Sequence, residues 1–247
     1  MKADPADQLR LLELQELDSR LSTLARRRAS LPEIAQLATL STELDGLADQ
    51  AVLARTRVQD LARSQGKLET DVDLVRQRMA RDQQRLDSGA VSASKELVDL
   101  QSEIESLHRR QTVLEDEELE IMEAREEAER ELAGIDSART VAEAGAVTAQ
   151  QRLEFGRVDI DTEAALTGTR RDQVLPTVPA DLVVLYDKIR SAAGGVGVAL
   201  LSRRRCGGCH LELAGSELRE VAAAAPDEIV RCENCRRIFV RTAESGL

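Results

Sequence analysis

The residues with evident chemistry are four cysteines in two close pairs, Cys206-Gly-Gly-Cys209 and Cys232-Glu-Asn-Cys235, with 22 residues between the pairs. A C-x-x-C segment closes a tight turn and aims backbone amides at its own sulfurs. Two such turns supply four thiolates at tetrahedral spacing, a donor set that suits zinc and leaves no coordination position open. The spacing therefore predicts one structural Zn2+ held by Cys206, Cys209, Cys232 and Cys235. Iron of the rubredoxin type and a redox-active dithiol pair are the other chemistries it permits. Gly207 and Gly208 are expected to give the first turn its backbone freedom. His210 follows Cys209 directly, but four thiolates already fill the shell, so it is expected on the surface of the turn. His108, beside Leu107, is expected to face solvent. Neither histidine has the partners of a catalytic triad, so no enzyme activity is expected. Gly194-Gly195-Val196-Gly197 lacks the Lys-Ser/Thr ending of a phosphate loop and reads as a turn into a strand.

Arginines surround both pairs: Arg203, Arg204 and Arg205 before the first, and Arg231, Arg236 and Arg237 beside the second. Brought together, they would form one basic surface able to contact RNA or DNA. Against this stand the formal net charge of −11, the negative charge of a zinc tetrathiolate, and the shortage of stacking residues, Phe239 being the one aromatic nearby. A docked protein is the main expectation for a partner, with nucleic acid as the alternative.

Strands are expected around the cysteines at Val196–Leu201, Leu211–Leu213, Glu228–Arg231 and Arg237–Val240, the layout of a zinc ribbon over residues 196–243. The rest of the chain is helical. A break at Asp87–Glu96 separates two long apolar repeats whose steps alternate four and three. The first runs through Leu40, Leu44, Leu47, Ala51, Ala54, Val58, Leu61, Gln65, Leu68, Val72, Val75, Met79, Asp82 and Leu86. The second restarts at Leu97, Leu100, Ile104, Leu107, Gln111 and Leu114, and weakens through Arg139, Ala142, Ala146, Ala149, Leu153 and Ile160. Folding one seam onto the other gives an antiparallel coiled-coil hairpin over residues 1–175, with its turn at 87–96. A connecting helix and linker follow over 176–195. Pro32 marks a fresh helix start, residues 1–7 are expected to fray, and the Gln8–Arg28 helix either extends the first arm or folds against its base. The acidic run Glu115–Glu131 is a solvated face or a dock for a basic partner.

Composition agrees with this class. Aromatics are 1% and Trp is absent, too few for a large globular core, whereas Leu, Ala and Val suit helix seams. No apolar stretch approaches a membrane span, and the start lacks the apolar core of a signal peptide. A cytoplasmic protein is expected, because a reducing compartment keeps paired cysteines available for metal. A monomer is expected, with a dimer through leftover seam surface as the alternative.

Three stretches carry a resemblance: Lys95–Leu107 (K-E-L-V-D-L-Q-S-E-I-E-S-L), Leu114–Glu123 (L-E-D-E-E-L-E-I-M-E) and Cys232–Phe239 (C-E-N-C-R-R-I-F). In these, and in its layout, the chain resembles the bacterial C4-type zinc-ribbon family with a long N-terminal coiled-coil hairpin. That family includes flagellar-regulation proteins of ε-proteobacteria and a chlamydial homologue. The resemblance implies a mainly α fold with a small C-terminal β zinc ribbon, and it matches Cys206, Cys209, Cys232 and Cys235 to the family's metal ligands. The family ending usually has Gly straight after the last cysteine, where Arg236 stands here. Some relatives act in flagellar gene expression, through an alternative sigma factor or a flagellin transcript. The Ala- and Arg-rich composition looks actinobacterial, so that role is not carried over, and the expectation that remains is an adaptor or chaperone-like role.

Overall fold

The structure, a computed structural model, describes every residue except Ala90. The chain divides into two compact units, one formed by Met1–Ile34 with Gln151–Leu247 and the other by Ala35–Gln150. Three long helices run through them: α1 (Pro5–Ala29), α2 (Pro32–Asp87) and α3 (Ser94–Val174). A short 3-10 turn, Leu175–Thr177, leads to α4 (Ala180–Ala192). Then come β1 (Val198–Ser202), β2 (Arg205–Cys206), α5 (Gly215–Ala223) and β3 (Ile238–Val240). Among the described residues, no helix is long and apolar enough to cross a membrane.

The unit Ala35–Gln150 is a hairpin of α2 against α3. Partners across it rise in number on one helix as they fall on the other: Arg57 with Glu131, Gln65 with Arg125, Arg76 with Glu115, and Arg78 with Glu103. That is antiparallel pairing. Every expected seam position of α2 from Leu40 to Leu86 is buried or half-buried, and so is every one of α3 from Leu97 to Ala149 except Arg139. The four-three spacing turns these residues toward the facing helix, and the charged remainder of each helix is left to water. Between the two helices Ser88 and Gly89 form a turn, with Gly89 at φ 64°. The expected break at 87–96 includes Ala90, which lies outside the described residues. The glycines of α3 do not interrupt it.

The other unit packs α1, the C-terminal part of α3 and α4 around a three-stranded sheet of order β2-β1-β3. Pro5 begins α1 and Pro32 begins α2, each where a missing amide hydrogen costs nothing. Helix α1 lies antiparallel to α3, joined by Arg20–Glu163, Arg28–Asp161 and Glu13–Arg170. Within this unit it packs on the sheet as well as on the end of α3. The N-terminus does not fray. Lys2 bridges Glu228, the Ala3 amide donates to the Asp227 carbonyl, and the Gln8 side chain donates to the carbonyls of Ala3 and Pro226. These bonds hold the first residues as an added strand-like segment.

Strand β1 pairs antiparallel with β2 and parallel with β3. It is apolar from Val198 to Leu201 because both of its faces are covered there. Val198 joins Leu11, Leu14, Leu182, Tyr186, Ile189, Ile238 and Val240 in one core. Ala199 and Leu201 face the second core, with Cys206, Leu213, Val221, Cys232 and Phe239. The strands expected at Leu211–Leu213 and Glu228–Arg231 shrink to single bridges, Glu212 with Arg205, Glu228 with Lys2, and Arg231 with Ile238. The cysteine turns and α5 take up that part of the chain.

Candidate metal centre

The two cysteine turns have the same construction. In the first, the Cys206 amide donates to the Leu211 carbonyl at 3.0 Å and the His210 amide to the Cys206 carbonyl at 2.8 Å. In the second, the Cys232 amide donates to the Arg237 carbonyl at 3.0 Å and the Arg236 amide to the Cys232 carbonyl at 2.9 Å. Closing the loop this way puts the residue after the second cysteine in the left-handed region, His210 at φ 63° and Arg236 at φ 64°. A side chain there crowds the backbone, which explains why glycine suits that position. Gly207 and Gly208 serve a different purpose from the one expected. Neither has a positive φ; both are needed for space. A Cβ on Gly207 would lie 2.8 Å from the Leu200 carbonyl oxygen, and one on Gly208 would run into the Arg237 side chain.

All four sulfurs lie within 4.8 Å of one another, with Cys206 to Cys235 at 3.7 Å and Cys209 to Cys232 at 3.8 Å. Disulfides are excluded, because an S–S bond is about 2 Å long. A tetrahedron with metal–sulfur bonds of about 2.3 Å has edges of about 3.8 Å, so this cage fits zinc. Burial pushes the Cys206 and Cys232 thiols up from their ordinary value. Burial is also the largest influence on Cys235, yet donors outweigh it: the Arg237 amide, the Cys232 thiol, the Arg237 side chain and the Cys206 thiol together hold it down to about 7. Burial disfavours the thiolate form at Cys206 and Cys232, and a divalent cation in the cage would stabilise all four thiolates. The centre holds one structural zinc, and the expectation of that cofactor stands.

The six arginines are placed differently from one another. Arg237 turns inward, its guanidinium donating to the carbonyls of Val196 at 3.0 Å and Ala193 at 2.8 Å. Arg204 donates to the Gly246 carbonyl at 3.0 Å. Arg203, Arg205, Arg231 and Arg236 are exposed. Of these, Arg231 and Arg236 line one groove beside α4, and Arg203 sits with Arg204 in the left-handed turn between β1 and β2. His210 and His108 are exposed, as expected.

Several residues that fix the centre were not singled out in the sequence. Glu217 on α5 is 2% exposed and accepts the Glu233 amide at 3.0 Å, which anchors the second turn. The signal was weak but present: Leu218 and Val221 share a helical face inside the segment between the cysteine pairs. Arg241 donates to the carbonyls of Val221, Ala224, Ala225, Pro226 and Glu228, closing the end of α5. Asp18 of α1 is 2% exposed and joins three elements, accepting from Arg171 Nε at 2.6 Å and Tyr186 Oη at 2.7 Å, with Arg190 at 3.5 Å. Burial, followed by the bond to Asp18, pushes the Tyr186 phenol far up, so it remains a neutral donor. The bond to Asp18 is also what chiefly raises Arg171.

Comparison with known proteins agrees with this architecture. The model of the CT398-like coiled coil hairpin domain matches residues 14–194, and that of the C4-type zinc ribbon domain matches residues 205–238. The uncharacterized protein Rv2229c of Mycobacterium tuberculosis is 38% identical over 241 residues, covering 98% of each chain. A solved structure from Mycobacterium smegmatis is 34% identical with a TM-score of 0.83, over 98% of this chain and 100% of that one. The structure of CT398 from Chlamydia trachomatis shares the fold at 18% identity, with a TM-score of 0.68 over 96% of this chain and 98% of that one.

Proposed function

Since the chain belongs to the family of CT398-like coiled-coil hairpin proteins with a C4-type zinc ribbon, we propose that it is a non-enzymatic, zinc-stabilised adaptor or chaperone-like protein that docks a protein partner. The observation that carries this reading is the division of the arginines. Arg237 turns inward onto two carbonyls of its own chain, and its loss from the surface leaves the arginines of the second turn apart from Arg203, Arg204 and Arg205, which interrupts the single basic surface that nucleic acid would need. The acidic run of α3 adds to it: Leu119 and Met122 stand exposed among the exposed Asp116, Glu120, Glu123 and Glu126, a mixture that suits a basic, apolar protein surface. A closed shell of four thiolates offers no position for a substrate, in keeping with a structural role for the metal. We place the protein in the cytoplasm, where thiols stay reduced, and read it as a monomer.

Nucleic-acid binding is the second reading, favoured by the exposure of Arg203, Arg205, Arg231 and Arg236, none of which has an ion-pair partner among the described residues. One experiment separates the two. The zinc-loaded chain is used as bait in cell extract with and without nuclease, alongside titration of labelled RNA and DNA at low salt. Protein capture that survives nuclease supports the adaptor. Salt-dependent oligonucleotide binding that is lost when Arg203, Arg205, Arg231 and Arg236 are neutralised together supports the second reading instead.

A further inference from the structure

We propose that the groove between α4 and the second cysteine turn binds an acidic, amphipathic peptide segment of a partner protein, an inference that rests on the protein-docking reading above. The groove has a volume of about 320 Å³. Its floor is Leu185, Ile189 and Ala192, which recur at helical spacing on one face of α4 and are continued by Ala193. Its charged rim is Lys188 from α4 with Arg231 and Arg236 from the ribbon, and Cys235 lies at its edge. Among the described residues, none of these three cations has an ion pair or a side-chain hydrogen bond. The next residue, Arg237, shows the contrast, because its guanidinium is committed to two carbonyls.

Two features point to the chemistry of the occupant. An apolar hollow of this size accepts one or two large aliphatic or aromatic side chains, and three uncompensated cations around it select neighbouring carboxylates. A nucleic acid fits it poorly. The floor offers no aromatic ring for stacking and no acceptor or donor for base edges. The second feature is Arg236 itself. It occupies a left-handed position where glycine would be unstrained, and that position delivers its cation to the groove. His210 holds the equivalent left-handed position in the first turn and does not line the groove.

The test uses the zinc-loaded full chain and two pools of fluorescein-labelled short peptides. One alternates Leu or Phe with Glu or Asp; the other carries Lys in place of the acids. The acidic pool is expected to raise the anisotropy saturably and the basic pool is not. The double variant R231E/R236E is expected to weaken acidic-pool binding by at least about tenfold. A192W fills the groove from an exposed helix-end position and is expected to do the same, at unchanged zinc content and unchanged helical circular dichroism. Equal binding of the two pools overturns the proposal. So does acidic-pool binding that ignores A192W, or a labelled RNA that competes with it and depends on the two arginines but not on Ala192. A partner captured from extract equally well by wild type, A192W and R231E/R236E removes the groove while the adaptor reading stands. Capture that vanishes with nuclease removes the adaptor reading itself, and the groove with it.

Discussion

The hairpin unit and the ribbon unit are held together in opposite ways. In Ala35–Gln150 one contact type is repeated: a half-buried apolar side chain meets its counterpart every three or four residues, and exposed ion pairs such as Arg57–Glu131 flank the seam. No single residue there is irreplaceable. In the ribbon unit the contacts occur once each. One tyrosine meets one buried aspartate, one arginine gathers five carbonyls, and four sulfurs surround one metal. The difference teaches where single substitutions should be felt. A periodic seam spreads its stabilisation over many weak terms, whereas a small domain with few aromatics depends on individual groups.

The largest effect should come from the metal. Cys206→Ser or Cys235→Ser, or removal of zinc with a chelator, is expected to unfold the ribbon, seen as collapse of its amide dispersion in NMR spectra, while the helical circular dichroism of the hairpin persists. A ribbon that kept its dispersion without zinc would erase the contrast. Next is Asp18. Asp18→Ala takes the shared carboxylate from the half-buried Arg171 and Arg190 and removes the acceptor of the buried Tyr186, a loss of about 3 kcal/mol in denaturant unfolding. Asp18→Asn keeps an acceptor for the phenol and should recover part of it. Arg241→Ala is third, at about 2 kcal/mol, because the carbonyls that follow α5 lose a charged donor. Lysine, lacking the planar fork, should restore little of it.

The same division explains what could be read from the sequence. The seam was legible almost residue by residue because its cause is local: period and polarity suffice to place Leu40 through Leu86 on one face. The cysteine cage was legible because its spacing has few other uses. What pattern reading missed in the ribbon unit was polar and distant. Asp18 looks like an ordinary charged helix residue until Tyr186, 168 positions away, arrives beside it. Lys2 and Glu228 form a bridge that no local signal announces, which is why the N-terminus was expected to fray. Gly207 was recognised as necessary, but for torsion, because the closeness of Leu200 is a tertiary fact.

Smaller effects sharpen the contrast inside the ribbon. His210→Gly and Arg236→Gly should each stabilise the protein, by up to about 1 kcal/mol, since relief of left-handed crowding outweighs the added freedom of the unfolded chain. The two should differ in binding. His210→Gly leaves the acidic-peptide titration unchanged, and Arg236→Gly weakens it, trading affinity for stability. Equal behaviour of the two in the titration would show that Arg236 stands at its position for no reason of charge.

The smallest effect belongs to the hairpin. Arg76 and Glu115 meet at 2.7 Å with more than a third of each side chain exposed. The Glu115 carboxyl is held below its ordinary value of 4.5, first by the Gln111 side-chain amide and then by Arg76. A carboxyl lowered by folding contributes stability above its unfolded value and loses it as pH falls through the folded one, so the window lies at and below about pH 4.5. In an NMR titration of the Glu115 carboxyl carbon, Gln111→Ala should raise the midpoint more than Arg76→Ala does. Arg76→Ala should not move Tm at neutral pH beyond the scatter of repeats, because solvent and salt screen an exposed pair and the seam beneath it is unchanged. A loss from Arg76→Ala as large as that from Arg241→Ala would mean that the hairpin also depends on single contacts, and the distinction between the two units would fail.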